Sequence, residues 1–428
     1  MNMHEKMRVG LLDATRLVRS GSLLEATAAI QHALAGFTAP DSRATPQPAG
    51  ASPAGAPIEG SFRVVESAPV ADTDKTEELP RTGPRSACFH APRWRHRRAP
   101  DPSFRDTPPV DQAPDPLRSP DALRSCDGQP SAGRFLAASY TNDAGTRAYK
   151  LYVPSGYHGQ PLPLVVMLHG CTQDADDFAA GTRMNELAEA QQCFVVYPVQ
   201  APNANTSKCW NWFKKSDQQR DQGEPSIIAG ITRQIIAAYA IDVRRVYVAG
   251  LSAGGAMAAT MGATYPDLYA AIGVHSGLAH AVAHDIPSAF AAMQGGAVPV
   301  REQRGMNGAP GAARAVPTIV FHGDRDKTVN PRNGDRVMAQ STAHYADRAR
   351  PLAGTPQVSI ERGQVPAGHA YTRTIHQDAS GLAIMEQWRI HGAGHAWSGG
   401  SASGSHTDPR GPDAAREMLR FFQQHRQP

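Results

Sequence analysis

Hydrophobic and polar positions change their rhythm along this chain, and the rhythm divides it. From about Gly133 onward two segments alternate with period two, "RFLAASYT" and "AYKLYVP", and predict an antiparallel pair at a sheet edge. Four later runs are short, apolar throughout and bounded by turn residues: "LPLVVMLHG", "CFVVYP", "RVYVAG" and "TIVFHG". Continuous apolar runs of that length suit strands buried on both faces of a parallel sheet. Helical periodicity lies between them, around 176–191, 225–240 and 253–265, and "AAREMLRFFQQH" adds a helix near the end. Strands and helices in alternation predict an α/β fold, a mostly parallel sheet covered by helices on both faces. Ligands of such sheets gather at the carboxyl ends of the strands.

Upstream the pattern differs. Residues 1–37 read as a helical hairpin, its second helix opening on Ser22 with Glu25 three residues on, a capping box. Between Pro40 and Pro130 prolines crowd a stretch with few long apolar runs, which cannot bury enough surface to offset its ordering entropy. Residues 38–131 are therefore expected to be a disordered linker, leaving 132–428 as one catalytic-sized α/β domain.

Composition adds less. The net charge of +4 selects no partner class, and "RWRHRR" (Arg93–Arg98) is the one dense basic run. It reads as a solvated linker segment before it reads as a nucleic-acid contact, and attachment to an acidic granule surface is the other use of such a run. No stretch has the ~18 apolar residues of a membrane span. The first twenty residues lack a signal-peptide core, because Asp13 and Arg16 interrupt them. The expectation is a cytoplasmic protein, with an extracellular one as the alternative. The five cysteines show no metal spacing, and in a reducing compartment Cys171 and Cys209 would be thiols; export would allow a bridge.

The chemistry gathers at "VAGLSAGGAM". Gly250-Leu251-Ser252-Ala253-Gly254 is a G-x-S-x-G between a strand and a helix, the setting in which a serine is exposed on a tight turn. A serine hydroxyl needs a base, and the base a carboxylate. "VFHGDRDKTV" offers Asp324 and Asp326 after a strand, and "WRIHGAGHAWSGG" offers His391 and His395 among glycines. Asp326 lies far enough into its loop to turn back, whereas Asp324 suits a turn cap. His395 is on the glycine loop, whereas His391 ends the strand and is the fallback. Two N–H donors for an oxyanion are then the amide of Ala253, next to the serine, and that of Cys171 in "MLHGCTQ". Trp210, Trp212 and Trp397 are candidates to line the substrate pocket, with core packing the equal alternative. Weak periodicity over 279–315 and 333–380 suggests a lid between late strands.

In order along the chain, "LHGCTQDADDF", "YPVQAPNANTSKCWNWF", "VAGLSAGGAMAA", "HGDRDKTVNP" and "GAGHAWSGG" resemble the polyhydroxybutyrate depolymerase family of esterases over roughly 133–425. The resemblance implies the α/β-hydrolase fold, with Ser252 as nucleophile, Asp326 as acid, His395 as base, and Cys171 and Ala253 as oxyanion donors. It also implies an ester substrate, a hydroxyalkanoate oligomer or polymer or a small acyl ester, with no metal or organic cofactor. Feruloyl and acetylxylan esterases neighbour that family and are the alternative within hydrolases. A non-catalytic granule-binding or partner-binding protein is the alternative outside them.

Overall fold

The computed structural model describes residues 63–66, 133–295, 315–346 and 357–428. The expected helical hairpin, the Arg93–Arg98 run and nearly all of the proline-rich stretch lie outside the described residues. Within that stretch Arg63–Glu66 is a strand, β1. Its two adjacent β-branched valines suit a short edge strand.

The alternating segments form the expected antiparallel pair, β2 (Arg134–Asn142) and β3 (Gly145–Val153). The four apolar runs become β4 (Leu162–Leu168), β5 (Phe194–Pro198), β6 (Ile241–Leu251) and β8 (Thr318–Gly323). Between them lie α1 (Ala175–Thr182), α2 (Met184–Gln191), α3 (Gly223–Ala238) and α4 (Ala253–Thr264). The single helix expected around 176–191 is two, because Arg183 turns left-handed at φ 53° between them. A further short strand, β7 (Ala271–His275), precedes α5 (Ile286–Met293), and α6 (Arg332–Ala346) follows β8.

Part of the 333–380 stretch read as a lid is sheet instead. Residues 357–390 are three sheet strands, β9 (Gln357–Gln364), β10 (Ala370–Gln377) and β11 (Ala383–Ile390). β9 and β10 are mostly half-exposed and polar-rich, so their alternation is blurred where a buried strand would be legible. A small pair, β12 (Trp397–Ser398) and β13 (Thr407–Asp408), and helix α7 (Ala414–Gln423) complete the chain. The large sheet runs β1-β9-β10-β11-β8-β7-β6-β4-β5-β3-β2. Its centre, from β11 to β5, is parallel, and antiparallel strands flank it.

Both faces of that centre are buried. Along β4, Leu164, Val166 and Leu168 pack with α3, α4 and Trp210, while Val165 and Met167 pack with α1, α2 and α7 on the other side. Alternation of side chains across a strand produces two cores from one apolar run. The last helix is locked by charge as well as by apolar contact. Glu386 of β11 is fully buried and accepts hydrogen bonds from Arg373 of β10 and Arg420 of α7 at 2.7–3.0 Å. A buried carboxylate held this way fixes β11, which carries one of the loops of the site.

Three of the central strands run into a buried histidine at their carboxyl ends: His169 after β4, His275 closing β7 and His322 in β8. Burial lowers His169 to about 4, and burial, with His322 and His395 nearby, lowers His275 to about 3. Histidines of the unfolded chain take up protons below about 6.5. The folded values lie beneath that, so the unfolded chain binds more protons as pH falls through this window. Stability from the two rings is full above pH ~6.5 and is lost toward pH 3–4, by roughly 3 kcal/mol each at pH ~4. Urea unfolding at pH 7 and at pH 4 should show this loss. In His169→Gln, whose amide does not titrate, the loss between the two pH values should shrink; an unchanged difference would remove His169 from the account.

Candidate active site

Ser252 sits between the last residue of β6 and the first of α4 with φ 57° and ψ −118°. A positive φ is strained for a residue with a side chain, and packing must hold it. Its N–H donates to His275 O at 2.8 Å, and its own carbonyl accepts from Ala256 N–H at 2.9 Å. The flanking glycines are there for space. A Cβ on Gly254 would run into the Leu168 carbonyl and lie 2.6 Å from His169 O, and one on Gly250 would collide with Gly254 itself. The elbow, the start of α4 and the end of β4 are thus in backbone contact.

That contact brings the loop after β4 beside the serine. His169 Nδ1 donates to Gly170 O at 2.7 Å, and its Nε2 accepts from Gln200 N–H at 3.0 Å, which fixes the tautomer. Gly170 N–H is taken by Gln173 Oε1 at 2.9 Å, and Gln173 is held in turn by Asp177 and Ser405. Among the described residues the amides of Cys171 and Ala253 have no hydrogen-bond partner, which leaves both free for an oxyanion.

The thiol expectation for Cys171 and Cys209 is overturned: the two form a disulfide, their Cα atoms 4.2 Å apart. β4 and β5 are neighbours in the sheet, so the loops that follow them run together, and Thr172 N–H donates to Ser207 O at 2.7 Å across the same gap. Sequence spacing of 38 residues carries no trace of that proximity.

Asp326 and His395 come from the other side of β6. β8 and β11 are parallel neighbours with Gly323 opposite Ile390, so their following loops emerge together. A Cβ on Gly323 would touch the Ala393 carbonyl, and Arg325 N–H donates to Ala393 O at 3.0 Å. Asp326 Oδ2 accepts from His395 Nδ1 at 2.7 Å. Its other oxygen accepts from the N–H groups of Thr328 and Val329, each at 2.8 Å. Burial alone would raise the Asp326 carboxyl, but hydrogen bonds from His322 and His395 outweigh it and hold the group far below the usual carboxylate range. The charged Asp326 carboxylate therefore faces Nδ1 of His395, which leaves Nε2 of that ring able to accept a proton. Among the described residues no hydrogen bond joins Ser252 Oγ to His395. Such pairs are often long in unliganded sites and tighten on substrate.

The rejected partners form a pair of their own. His391 Nδ1 donates to Asp324 Oδ2 at 2.9 Å, and Gly392 N–H to Asp324 Oδ1 at 2.7 Å, at the exposed rim. That pair ties the two loops together and stays away from the serine's backbone network. Of the two readings of the tryptophans, burial supports core packing: Trp210 and Trp397 are at most 1 % exposed and Trp212 is 6 % exposed. Trp397 stacks on His275, its ring centroid 4.9 Å away. His275 and His322 were missed by the sequence reading, although "AIGVH" is a short apolar run of the kind that marks a buried strand. Among the described residues no cluster of three or more His, Cys, Asp or Glu side chains could hold a metal, and no helix is long and apolar enough to cross a membrane.

A family model described as Esterase PHB depolymerase matches residues 147–346. The chain is 35 % identical over 259 residues to poly(3-hydroxyalkanoate) depolymerase C of Paucimonas lemoignei, a match covering 60 % of this chain and 59 % of that one. It is 31 % identical over 253 residues to feruloyl esterase B of Neurospora crassa, covering 56 % of this chain and 81 % of that one. An acetyl xylan esterase structure from Aspergillus awamori shares the fold, with a TM-score of 0.52 at 22 % identity over 68 % of this chain and 99 % of that one. The chain belongs to the PHB depolymerase family of esterases.

Proposed function

We propose that the protein is a serine carboxylic-ester hydrolase working through an acyl-enzyme. The observation that carries this is the Asp326–His395 pair on loops beside a strained Ser252 whose neighbouring amides are unused. In the reaction His395 Nε2 takes the Ser252 proton as Oγ attacks the ester carbonyl. The carbonyl oxygen becomes an oxyanion between the amides of Cys171 and Ala253. Collapse breaks the bond to the alcohol, which leaves with the proton from His395. Water, deprotonated by the same ring, then releases the acid and restores the serine. Asp326 remains charged throughout and stabilises the imidazolium.

Hydroxyalkanoate esters or oligomers are the proposed substrate, supported by the identity to the Paucimonas depolymerase, of which the chain spans 59 %. Feruloyl esters are the second reading, favoured by a match that spans 81 % of the Neurospora feruloyl esterase. The Cys171–Cys209 bridge supports an oxidising location in place of the cytoplasmic one expected from the first residues. The catalytic unit is proposed to be 132–428, with granule attachment, if the protein has it, supplied upstream.

Ser252→Ala should lower ester hydrolysis about 10³-fold or more and abolish labelling by a fluorophosphonate. His395→Ala should do nearly the same, whereas His391→Ala should cost no more than a few-fold. A folded Ser252→Ala protein with a tenth of wild-type activity would exclude this mechanism. Initial rates on 3-hydroxybutyrate oligomers and on methyl ferulate, at matched enzyme concentration, separate the two substrates, with the oligomers expected to be faster. A chain starting at Ser131 should cleave a soluble ester at close to the full-length rate and bind amorphous polymer granules less. Equal loss in both assays would place the upstream residues in the catalytic unit.

A further inference from the structure

We propose that His275 is a positioning residue that holds the nucleophile and the base loop in one register, its main chain on Ser252 and its ring on Ser398. The inference rests on the ester-hydrolase reading and deepens it. The His275 carbonyl accepts Ser252 N–H at 2.8 Å, so any shift of this residue is a shift of the strained elbow. Its ring Nε2 accepts the main-chain N–H of Ser398 at 3.0 Å. Ser398 lies three residues beyond His395, on the same loop. One residue nearer the base, Trp397 lays its indole on the His275 ring with a 23° interplanar angle. The other neighbour of the ring is Phe321, stacked at 5.8 Å and 8°, in the strand that leads to Asp326. All three segments that carry the triad therefore meet on this one residue, the elbow on its carbonyl and the other two on its ring.

The ring cannot serve as acid or base to a substrate, because the residue is 1 % exposed and both its nitrogens are engaged. An amide N–H can only donate, so Nε2 of His275 is bare and Nδ1 carries the hydrogen, directed to Ser276 Oγ at 3.2 Å. Around the ring stand His322, His395 and Asp326, and burial keeps the imidazole neutral among them. Protonation would set an N–H against the Ser398 N–H and break the link. A phenylalanine would keep both stacks and leave the Ser398 amide buried without an acceptor. That penalty is relieved only if the base loop moves. Displacing a catalytic group by about 1 Å costs on the order of 10²-fold in rate.

The experiment uses full-length His275→Phe, His275→Gln and His275→Asn, with kcat and KM on p-nitrophenyl butyrate and the rate of fluorophosphonate labelling. For the Phe variant kcat should fall about 10- to 100-fold with KM within about twofold, and labelling should slow in parallel. Glutamine can set Oε1 near the place of Nε2 and should recover most of the rate; asparagine is too short and should not. Wild-type kcat in the Phe variant, or equal rates for Gln and Asn, would overturn the proposal. Should no variant fold, 15N-labelled histidines in the wild-type chain decide it. At least two imidazoles, those of His169 and His275, must then remain Nδ1–H tautomers down to about pH 5. Fewer than two would refute the assignment. Failure of the wild type to hydrolyse or label at all would strike the esterase reading, a separate result.

Discussion

The site depends on one close approach of backbones. Gly250 and Gly254 have no side chains, and for that reason α4 begins against the carbonyls of Leu168 and His169. Everything else follows from where this leaves the chain. The serine is pressed into φ 57°, and the Ala253 amide is set beside the loop that carries Cys171. Strain of this kind persists only where the surroundings over-determine it. Here the surroundings are other main-chain atoms, which have no rotamers through which to relax.

Electrostatics is arranged on the same principle of fixed partners. Asp326 is buried yet charged, because four donors reach its two oxygens, two from histidines and two from its own loop. His169 and His275 are buried and neutral, each with Nε2 accepting a main-chain N–H. A buried charge is tolerable when its hydrogen bonds are complete, and a buried imidazole when it need not ionise. The site thus holds one standing negative charge behind the base, which is what the developing imidazolium requires.

Legibility in the sequence followed burial. β4, β5, β6 and β8 are continuous apolar runs, and the G-x-S-x-G between β6 and α4 was readable because strand, turn and helix each left their own pattern. Asp326 was set apart from Asp324, and His395 from His391, by position within their loops, and the structure joins Asp326 to His395 and Asp324 to His391. β9 and β10 were illegible because their side chains are mostly half-exposed and polar, so neither period dominates. The Cys171–Cys209 bridge and the roles of Trp210, Trp212 and Trp397 depend on which loops and strands are neighbours in space. Order along the chain does not contain that. β7 was short enough to be passed over, and with it the histidine on which the triad segments converge.

The oxyanion loop is restrained from two directions, and the two are chemically unlike. On one side the Cys171–Cys209 bridge ties it covalently to the loop after β5. On the other, Gly170 N–H, Gln173, Asp177 and Ser405 form a chain of hydrogen bonds reaching the segment beyond the base. Gln173 is the junction: its Oε1 removes the Gly170 amide from competition for the oxyanion, and its amide group donates outward. The Cys171 N–H is thereby the one amide in the turn left pointing at no protein acceptor. Covalent closure limits how far the loop can move, while the hydrogen-bonded chain decides which amide is left without an acceptor. Preorganised donors stabilise developing charge without reorganising at the moment of reaction, and this loop is built so that neither restraint has to form during catalysis.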